Sequence, residues 1–424
     1  MAPPRFLLAL LLLLPFAALA GDSAPEQSPE QVPLALPATR TSSVLDNINF
    51  WGYGEIEYAR PTRDLDRTVA DLRRAVVGIG YRFSPAVSFN SEWEVEHSVA
   101  SASDDGEFEV EQFYLEFQPT DWMTITAGLF LMPFGLINEH HEPTQYFGVQ
   151  RNFVETLILP STWREGGIGL HGTTPLGIGW SLGVTTGNSF SSWNFAPTYP
   201  LYANAFDLEA HEMAPLQASH QELQSASAKR LSGYIAADYH GYPGLVVGGA
   251  IKTGRAVKPS SIATAPGADD PLVTLWEAHV RYTPGRLDLS ALYTAGYISN
   301  TAAANAANPG AGNPIPASFN GYFLQAAYSV WQNGMFRLAP FVRGESYDMG
   351  ARYKGTTGPV TPTGLVPASN TPGDNVLWPQ QSDKVLTIGA NFFITPQVVM
   401  KCDYQWFANN TTFDRLDLGI GMAF

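Results

Sequence analysis

The chain has 424 residues, a formal net charge of −15, and only 15% charged residues, with 39 glycines, 32 prolines and 12% aromatic residues. An acidic chain without a lysine before Lys229 lacks the clustered cations that bind phosphate backbones, which excludes nucleic acid as a partner. The low charge and the abundance of glycine, proline and aromatic side chains favour short strands joined by tight turns.

The N-terminal segment 1–20 has the pattern of a secretory signal peptide. Arg5 gives the positive start, 6–19 an apolar run too short to span a membrane, and Ala18-Leu19-Ala20 a small-residue cleavage site. The next segment, 21–46, is rich in Pro, Ser, Glu and Gln and predicts a flexible periplasmic leader. The sequence therefore predicts three parts: a signal peptide at 1–20, a leader at 21–46 and a barrel over 47–424.

From residue 48 onward, apolar side chains alternate with polar ones in segments of about ten residues, which is typical of strands with lipid on one face and water on the other. We predict sixteen strands, at 48–59, 71–84, 86–97, 107–118, 121–130, 164–174, 177–187, 230–241, 244–253, 274–285, 286–297, 319–331, 334–347, 384–395, 397–408 and 412–424. Their connections alternate between short turns and longer loops, the longest near 131–163, 188–229 and 348–383. An even strand count with loops sorted in this way predicts an antiparallel transmembrane β-barrel.

The alternation also separates two faces. Aromatic and aliphatic residues such as Phe113, Leu115 and Phe117 share the outward parity, which predicts contact with the outer-membrane lipid bilayer. A charge facing lipid at mid-bilayer costs roughly 2–4 kcal/mol, so the charged parity faces water. Sixteen strands enclose an aqueous channel. Predicted pore-lining charges are Arg74, Arg82, Glu92, Glu94, Arg281, Arg337, Arg343, Lys401, Asp403 and Arg415.

The last strand alternates to a terminal phenylalanine, with Leu416, Leu418, Ile420, Met422 and Phe424 on its outward face. A C-terminal strand ending in this way resembles the signal that assembly machinery reads in outer-membrane barrels. We therefore expect the protein in the outer membrane of a Gram-negative cell. Cys402 has no partner cysteine and is interpreted as a small hydrophobic residue within a strand.

A more specific block comprises Leu131-Met132-Pro133-Phe134-Gly135, then Asn138, His140 and His141, then 160–170 (PSTWREGGIGL). This block resembles the porin O and P family, the so-called phosphate-selective porins, and the likeness in strand pattern extends over roughly 48–424. The resemblance implies that 131–163 folds into the barrel as a constriction loop and that the protein is a homotrimer. It implies a channel for small hydrophilic solutes and ions, with no enzyme activity and no cofactor.

The residues of this loop argue against strong phosphate selection. The predicted constriction contains Glu139, His140, His141, Glu142, Arg151 and Glu155. Carboxylates outnumber the single arginine, and the inward strand positions also lean acidic, whereas oxyanions require fixed cations. We therefore expect a weakly selective pore, cation-leaning or nearly unselective. An anion-selective or phosphate-selective channel is the alternative, because the arginines at 74, 82, 164 and 415 can form a basic wall. These arginines can equally pair with nearby carboxylates, which would remove that wall.

The run from Glu139 to Glu142 is the only dense cluster of metal-ligand side chains. Adjacent histidines in a loop rarely converge on one ion, so a solvated loop without metal is the prediction. An outer-membrane barrel enzyme is a further alternative, but no sequence motif marks a Ser–His pair. A surface receptor is another, using 188–229 and 348–383 as binding loops, with 205–228 either as a short helix over the pore mouth or as a disordered loop.

Overall fold

The computed structural model of the protein describes residues 44–100, 106–195, 213–264, 269–356 and 382–424. The predicted signal peptide and nearly all of the predicted leader lie outside the described residues, as do parts of the loops at 188–229 and 348–383. No helix in the described part is long and apolar enough to span a membrane. The chain from Val44 to Phe424 forms one compact unit.

Sixteen antiparallel strands make a closed barrel, as predicted. They are β1 (Ile48–Pro61), β2 (Val69–Ser84), β3 (Val87–Glu96), β4 (Phe108–Thr120), β5 (Met123–Leu131), β6 (Arg164–Thr173), β7 (Ile178–Thr186), β8 (Leu231–Tyr242), β9 (Leu245–Arg255), β10 (Leu272–Tyr282), β11 (Leu287–Ile298), β12 (Pro316–Tyr328), β13 (Phe336–Tyr353), β14 (Ser382–Thr395), β15 (Val398–Phe407) and β16 (Arg415–Ala423). A short segment, Trp331–Asn333, continues β12 after a break and pairs with the same neighbour, β13.

Each strand pairs with the next one along the chain, and the barrel closes where β1 pairs with both β2 and β16. The register of this seam runs from Tyr53 opposite Ala423 to Pro61 opposite Arg415. At its end, Phe424 N–H donates to the Gly52 carbonyl over 2.8 Å and Gly52 N–H donates to the Phe424 carbonyl over 3.1 Å. Closure gives every strand two hydrogen-bonded neighbours, so no strand edge faces lipid.

The two predicted faces are present. Outward side chains such as Val77, Phe113, Leu115 and Ile388 are exposed, and Cys402 lies among them on β15. Large apolar side chains also surround the short-turn end of the barrel, including Phe83, Phe117, Trp122, Tyr242, Tyr328 and Trp331. Amphipathic and aromatic rings at that level suit the boundary between lipid and water.

At the opposite end, external segments fold together over part of the barrel mouth; we call the described residues 187–195, 213–230, 256–264 and 299–315 the outer cap. The Trp193 indole donates to the Asn313 carbonyl over 3.0 Å, and the Phe190 N–H donates to the Val257 carbonyl over 2.9 Å. The cap carries the single described α-helix, α1 (Thr301–Ala307), and a 3-10 turn, Ser260–Ile262. Within the described part of the predicted 205–228 segment, residues 213–228 form turns and no helix.

Removing Phe424 tests the seam. We expect the truncated chain to reach the outer membrane as a folded barrel several-fold less than the full chain, because both terminal hydrogen bonds to Gly52 are lost. The measurement is the fraction of protein that migrates as the folded, heat-modifiable species on a denaturing gel. Phe424→Leu is the matched control, since it keeps the backbone bonds and an apolar terminus. Equal recovery of the truncated chain would contradict the role of this residue.

Candidate functional site: a loop folded into the barrel

The connection between β5 and β6, residues 132–163, is here called the inner loop. Its two ends are held together by Asn138. The side-chain amide of Asn138 donates to the carbonyls of Met132 and Trp163 over 2.7 and 2.8 Å, and its oxygen accepts the Trp163 N–H over 2.6 Å. Met132 N–H also donates to the Trp163 carbonyl over 2.8 Å. One amide side chain therefore closes the neck from which the loop enters the barrel.

Apolar side chains of the inner loop pack inside the barrel rather than above it. The ring of Phe153 lies 6.0 Å from that of Tyr347 on β13 and 5.4 Å from that of Phe407 on β15. Phe134 packs on Trp163 at 5.0 Å between ring centroids. These side chains belong to one buried cluster that continues into the outer cap. The inward-folded loop predicted from the sequence is thus present, and burial of its apolar residues stabilises it.

Polar contacts attach the loop to walls on several sides of the barrel. On the β13–β15 side, the Phe153 N–H donates to Glu345 over 2.6 Å, the Val149 N–H to Asp403 over 2.6 Å, and Arg343 donates to the Phe147 carbonyl over 3.0 Å. On the β1–β2 side, the Tyr146 hydroxyl donates to Glu55 over 2.7 Å and Arg74 donates to the His141 carbonyl over 2.5 Å. The loop therefore crosses the lumen and is held by inward side chains of both walls.

Glu155 organises the loop from within. Its carboxylate accepts the N–H groups of Leu136 and Ile137 over 2.6 and 2.9 Å and the Asn152 amide over 2.6 Å. Burial raises the pKa of Glu155, whereas these donors favour the ionised form. Glu155 is only 4% exposed. It was predicted to line the constriction, but it lies between two arms of the loop and holds them together.

The other predicted constriction residues divide between exposed and buried positions. Glu139 and His140 are exposed, whereas His141 is buried and directed to the barrel wall. Glu142 is half-buried, and so is Arg151, which donates to the hydroxyls of Ser161 and Thr162. Because the backbone turns between the two histidines, the run of metal-ligand side chains at 139–142 does not converge on one point.

The exposed edge of the loop faces one part of the wall. Restricted hydration inside the barrel and the nearby charge of Asp238 on β8 raise the pKa of Glu139 to about 7, and His171 on β6 opposes this shift. Arg281 on β10 lies near His140. Asp238 and Arg281 are themselves partly exposed. The wall formed by β6 to β10 thus faces the exposed edge of the loop through His171, Asp238 and Arg281, whose side chains are all at least partly exposed.

Seven of the ten predicted pore-lining charges are buried: Arg74, Glu92, Glu94, Arg343, Lys401, Asp403 and Arg415. Their parity is inward as predicted, but several of them contact the loop that crosses the lumen, among them Arg74, Arg343 and Asp403. The other three, Arg82, Arg281 and Arg337, are partly exposed. An inward-facing charge therefore does not always line the open passage, because the loop occupies part of the lumen and covers some of these side chains.

The basic wall suggested for the arginines at 74, 82, 164 and 415 does not assemble. Arg74 lies 2.7 Å from Glu55 and Arg415 lies 3.0 Å from Asp417. Arg82 lies eight residues along β2 from Arg74, about 27 Å at the rise of an extended strand. Arg74 and Arg415 are thus each paired with a carboxylate, and Arg164 is paired with Glu109 at 2.5 Å.

Sequence reasoning missed Glu111, a fully buried residue of β4. Strict alternation places it on the outward face with Phe113, but the pairing of β3 with β4 shifts register between Glu92 and Trp93. This bulge inserts one residue and turns Glu111 to the inside. A carboxylate on the lipid-facing parity was the available signal, because such a charge is costly unless the strand is irregular.

Replacing Glu155 with alanine tests how the loop is held. We expect hydrogen exchange at the Leu136 and Ile137 amides to accelerate by about tenfold or more, because each unpaired buried donor costs about 1–3 kcal/mol. Exchange measured by mass spectrometry on peptides covering 134–150 gives the result. Glu139→Ala, an exposed position on the same loop, serves as the control and should leave this protection unchanged. Unaltered protection in Glu155→Ala would show that the carboxylate does not stabilise the loop.

Comparison with known proteins agrees with this architecture. Residues 47–413 match the family described as phosphate-selective porin O and P. An uncharacterized protein of Aquifex aeolicus (strain VF5) is 33% identical over 165 residues, a match that covers 39% of this chain and 38% of that protein.

Two solved structures are similar in fold. Salmonella typhi OmpF in complex with daunomycin has a TM-score of 0.53 at 12% identity, covering 89% of this chain and 98% of that one. The outer membrane channel DcaP of Acinetobacter baumannii has a TM-score of 0.51 at 9% identity, covering 89% and 97%. With the family match over most of the barrel, these findings establish that the chain belongs to the porin O and P family, and that the protein is a porin of the Gram-negative outer membrane.

Proposed function

We propose that the protein is a passive channel for small hydrophilic solutes and ions, with weak selectivity that leans toward cations. The passage runs between the exposed edge of the inner loop and the wall of β6 to β10. The observation that carries the proposal is the pair of exposed residues Glu139 and His140 opposite Asp238 and His171. An ionised carboxylate at a narrow passage attracts cations and raises the barrier for anions. Because the pKa of Glu139 is raised to about 7, this preference strengthens as the pH rises above that value.

The inward cations do not form a path for anions, because many of them already have a carboxylate partner. These ion pairs are Arg74–Glu55, Lys252–Glu165, Arg281–Asp288, Arg343–Glu345 and Arg415–Asp417. A paired guanidinium exerts a smaller field on a passing ion than an isolated one, since the carboxylate cancels most of its charge at a distance. The phosphate selectivity in the family's name is therefore not extended to this chain.

A role as a channel without enzyme activity fits the bonding of the buried histidines. His279 contacts the carboxylates of Asp238 and Glu277 at 3.1 and 2.9 Å, and His141 contacts Asn138 and Tyr53. These partners are not serine hydroxyls, which a lipase-like barrel would require beside a histidine. Conversion of ester substrates by the purified protein would count against this part of the proposal.

We also propose a homotrimer as the assembled form. The support is the resemblance to sixteen-stranded porins and the apolar outward face of the barrel, which can pack against a second copy as well as against lipid. Native mass spectrometry of the detergent-extracted protein should give three chains per particle. A uniformly monomeric particle that conducts ions would overturn this proposal.

Replacing Glu139 with lysine should shift the ion preference of the channel. In a planar bilayer with a salt gradient, we expect the reversal potential of Glu139→Lys to move toward anion preference, because a fixed negative charge at the passage becomes positive. Asp121→Lys makes the same change of charge at an exposed turn between β4 and β5 and should leave the reversal potential near that of the native channel. A strong anion preference of the native channel, with phosphate blocking chloride current at micromolar concentrations, would overturn the proposed selectivity.

Shortening the inner loop tests its place as the constriction. Replacement of residues 137–157 by a short glycine-serine linker should increase single-channel conductance, because the segment that crosses the lumen is removed. Recovery of the folded, heat-modifiable barrel should accompany the measurement, so that only assembled channels are compared. Replacement of the external segment 299–312 by the same linker is the control for general loss of loops. Unchanged conductance in the inner-loop variant would show that another segment limits flow.

A further inference from the structure

We propose that Glu92, Glu111 and His141 bind one divalent transition-metal ion of the zinc type, where the inner loop meets the wall of β3 and β4. One nitrogen or oxygen atom from each of the three side chains lies within 4.8 Å of the others. All three residues are buried, at 6%, 0% and 3% exposure. The site joins two wall strands to the loop, so a bound ion would fasten the loop to the barrel.

His141 is held in the tautomer that a metal ligand requires. Its Nδ1 lies 2.9 Å from the carbonyl oxygen of Asn138. A carbonyl only accepts hydrogen bonds, so Nδ1 carries a proton. In the neutral imidazole, Nε2 is then the nitrogen with the free lone pair, and it faces Glu111 and Tyr53. A backbone carbonyl bound to the second ring nitrogen is a common outer partner of metal-bound histidine. Asn138, which closes the neck of the loop, thereby also orients the imidazole.

Of the two carboxylates, Glu92 is oriented by hydrogen bonds, and Glu111 keeps one oxygen without a partner. Glu92 accepts hydrogen bonds from the Trp51 indole and the Gln112 amide, each over 2.5 Å, which fixes its orientation. Glu111 Oε1 is buried without a hydrogen-bond partner and lies 3.7 Å from His141 Nε2. Two ligands about 2.0–2.2 Å from one ion are separated by roughly 3–4 Å, so this gap suits an ion between them.

The local charge also calls for a cation. Glu94 is 3% exposed and lies within hydrogen-bond reach of Glu111, so a protonated Glu94 can donate to the Glu111 carboxylate, which leaves the charges of Glu111 and Glu92 to be balanced. The nearby cations Arg74 and Arg164 have carboxylate partners of their own: Arg74 lies 2.7 Å from Glu55, and Arg164 lies 2.5 Å from Glu109. Buried ionised carboxylates are costly unless they are paired or bind a metal ion.

The Tyr53 hydroxyl can donate a hydrogen bond to only one of the two acceptors that it contacts. Its hydroxyl lies 2.6 Å from His141 Nε2 and 2.9 Å from Glu111 Oε2. The hydroxyl has one proton for these two acceptors, so with neutral His141 one of them stays without a donor. A divalent ion would satisfy both acceptors at once.

The donor set indicates the class of metal. One imidazole with two carboxylates suits Zn²⁺ and its first-row neighbours, whereas Ca²⁺ and Mg²⁺ prefer oxygen ligands alone and Cu⁺ prefers sulfur. The proposal does not depend on what passes through the channel, because metal content and ion conduction are measured separately.

The test uses full-length protein in detergent, without a polyhistidine tag, treated with chelator and then equilibrated with buffered Zn²⁺. We expect one Zn²⁺ per chain by elemental analysis. Affinity should fall by about tenfold or more in Glu111→Gln and in His141→Gln. His140→Gln changes the adjacent, exposed histidine and should bind as the native protein does. Folding of each variant is checked by heat modifiability.

Cobalt binding to the native protein decides the question even when a variant fails to fold. Co²⁺ in the site should give visible absorption bands more intense than those of the hydrated ion, because the site is not octahedral. The X-ray absorption spectrum of the bound Co²⁺ should show one imidazole ligand. Three results would each overturn the proposal: binding well below one ion per chain, equal loss of affinity in His140→Gln and His141→Gln, or cobalt spectra of the fully hydrated ion.

Discussion

An unpaired backbone N–H or carbonyl inside a bilayer has no water to bind, and each such group costs several kcal/mol. The pairing of β1 with β16 removes the last free edge of the sheet, and the remaining architecture depends on it. Once the sheet is closed, side-chain parity alone decides which groups meet lipid and which meet the lumen. The same closure encloses more space than sixteen rows of side chains fill, which leaves room for the inner loop.

A loop inside a barrel has to satisfy its own backbone, because its chain is too irregular to form a regular ladder with the wall. The structure meets this requirement with inward carboxylates that accept loop N–H groups, as Glu345 does for Phe153 and Asp403 does for Val149. Glycines on β16 allow the approach: a side chain at Gly421 would meet Pro143, and one at Gly419 would press on Val149. Acidic wall residues therefore bind the backbone of the loop as well as carrying charge. An excess of carboxylates among the inward residues thus does not by itself predict that the open passage is lined by negative charge.

The alternation of apolar and polar residues was sufficient to predict the sixteen strands and the closed barrel, because lipid imposes a strict period of two on any strand that crosses it. The inward-folded segment was predicted from the resemblance of 131–170 to the porin O and P family. The same period failed at Glu111, where one inserted residue reverses the parity of β4. It also gave no account of which inward residues lie under the loop. Parity specifies a face, whereas the contact of Tyr146 with Glu55, 91 positions apart, depends on the path of the loop through the lumen. The sequence likewise left two possibilities for Arg74, a basic wall or an ion pair with a nearby carboxylate such as Glu55. Adjacent strands place opposite charges side by side, but the sequence does not specify the side-chain rotamers.

The division of the loop into a buried, anchored side and an exposed edge has an evolutionary consequence. Substitutions at Glu155 or Asn138 disturb hydrogen bonds on which the loop depends, so selection for assembly restricts them. Glu139 and His140 are exposed, and replacing them alters the field met by a solute at little cost in stability. Permeability can therefore diverge between related bacteria by single substitutions, while the shell that must insert into the membrane stays the same. Uptake of nutrients and exclusion of toxic compounds can then be adjusted within one scaffold.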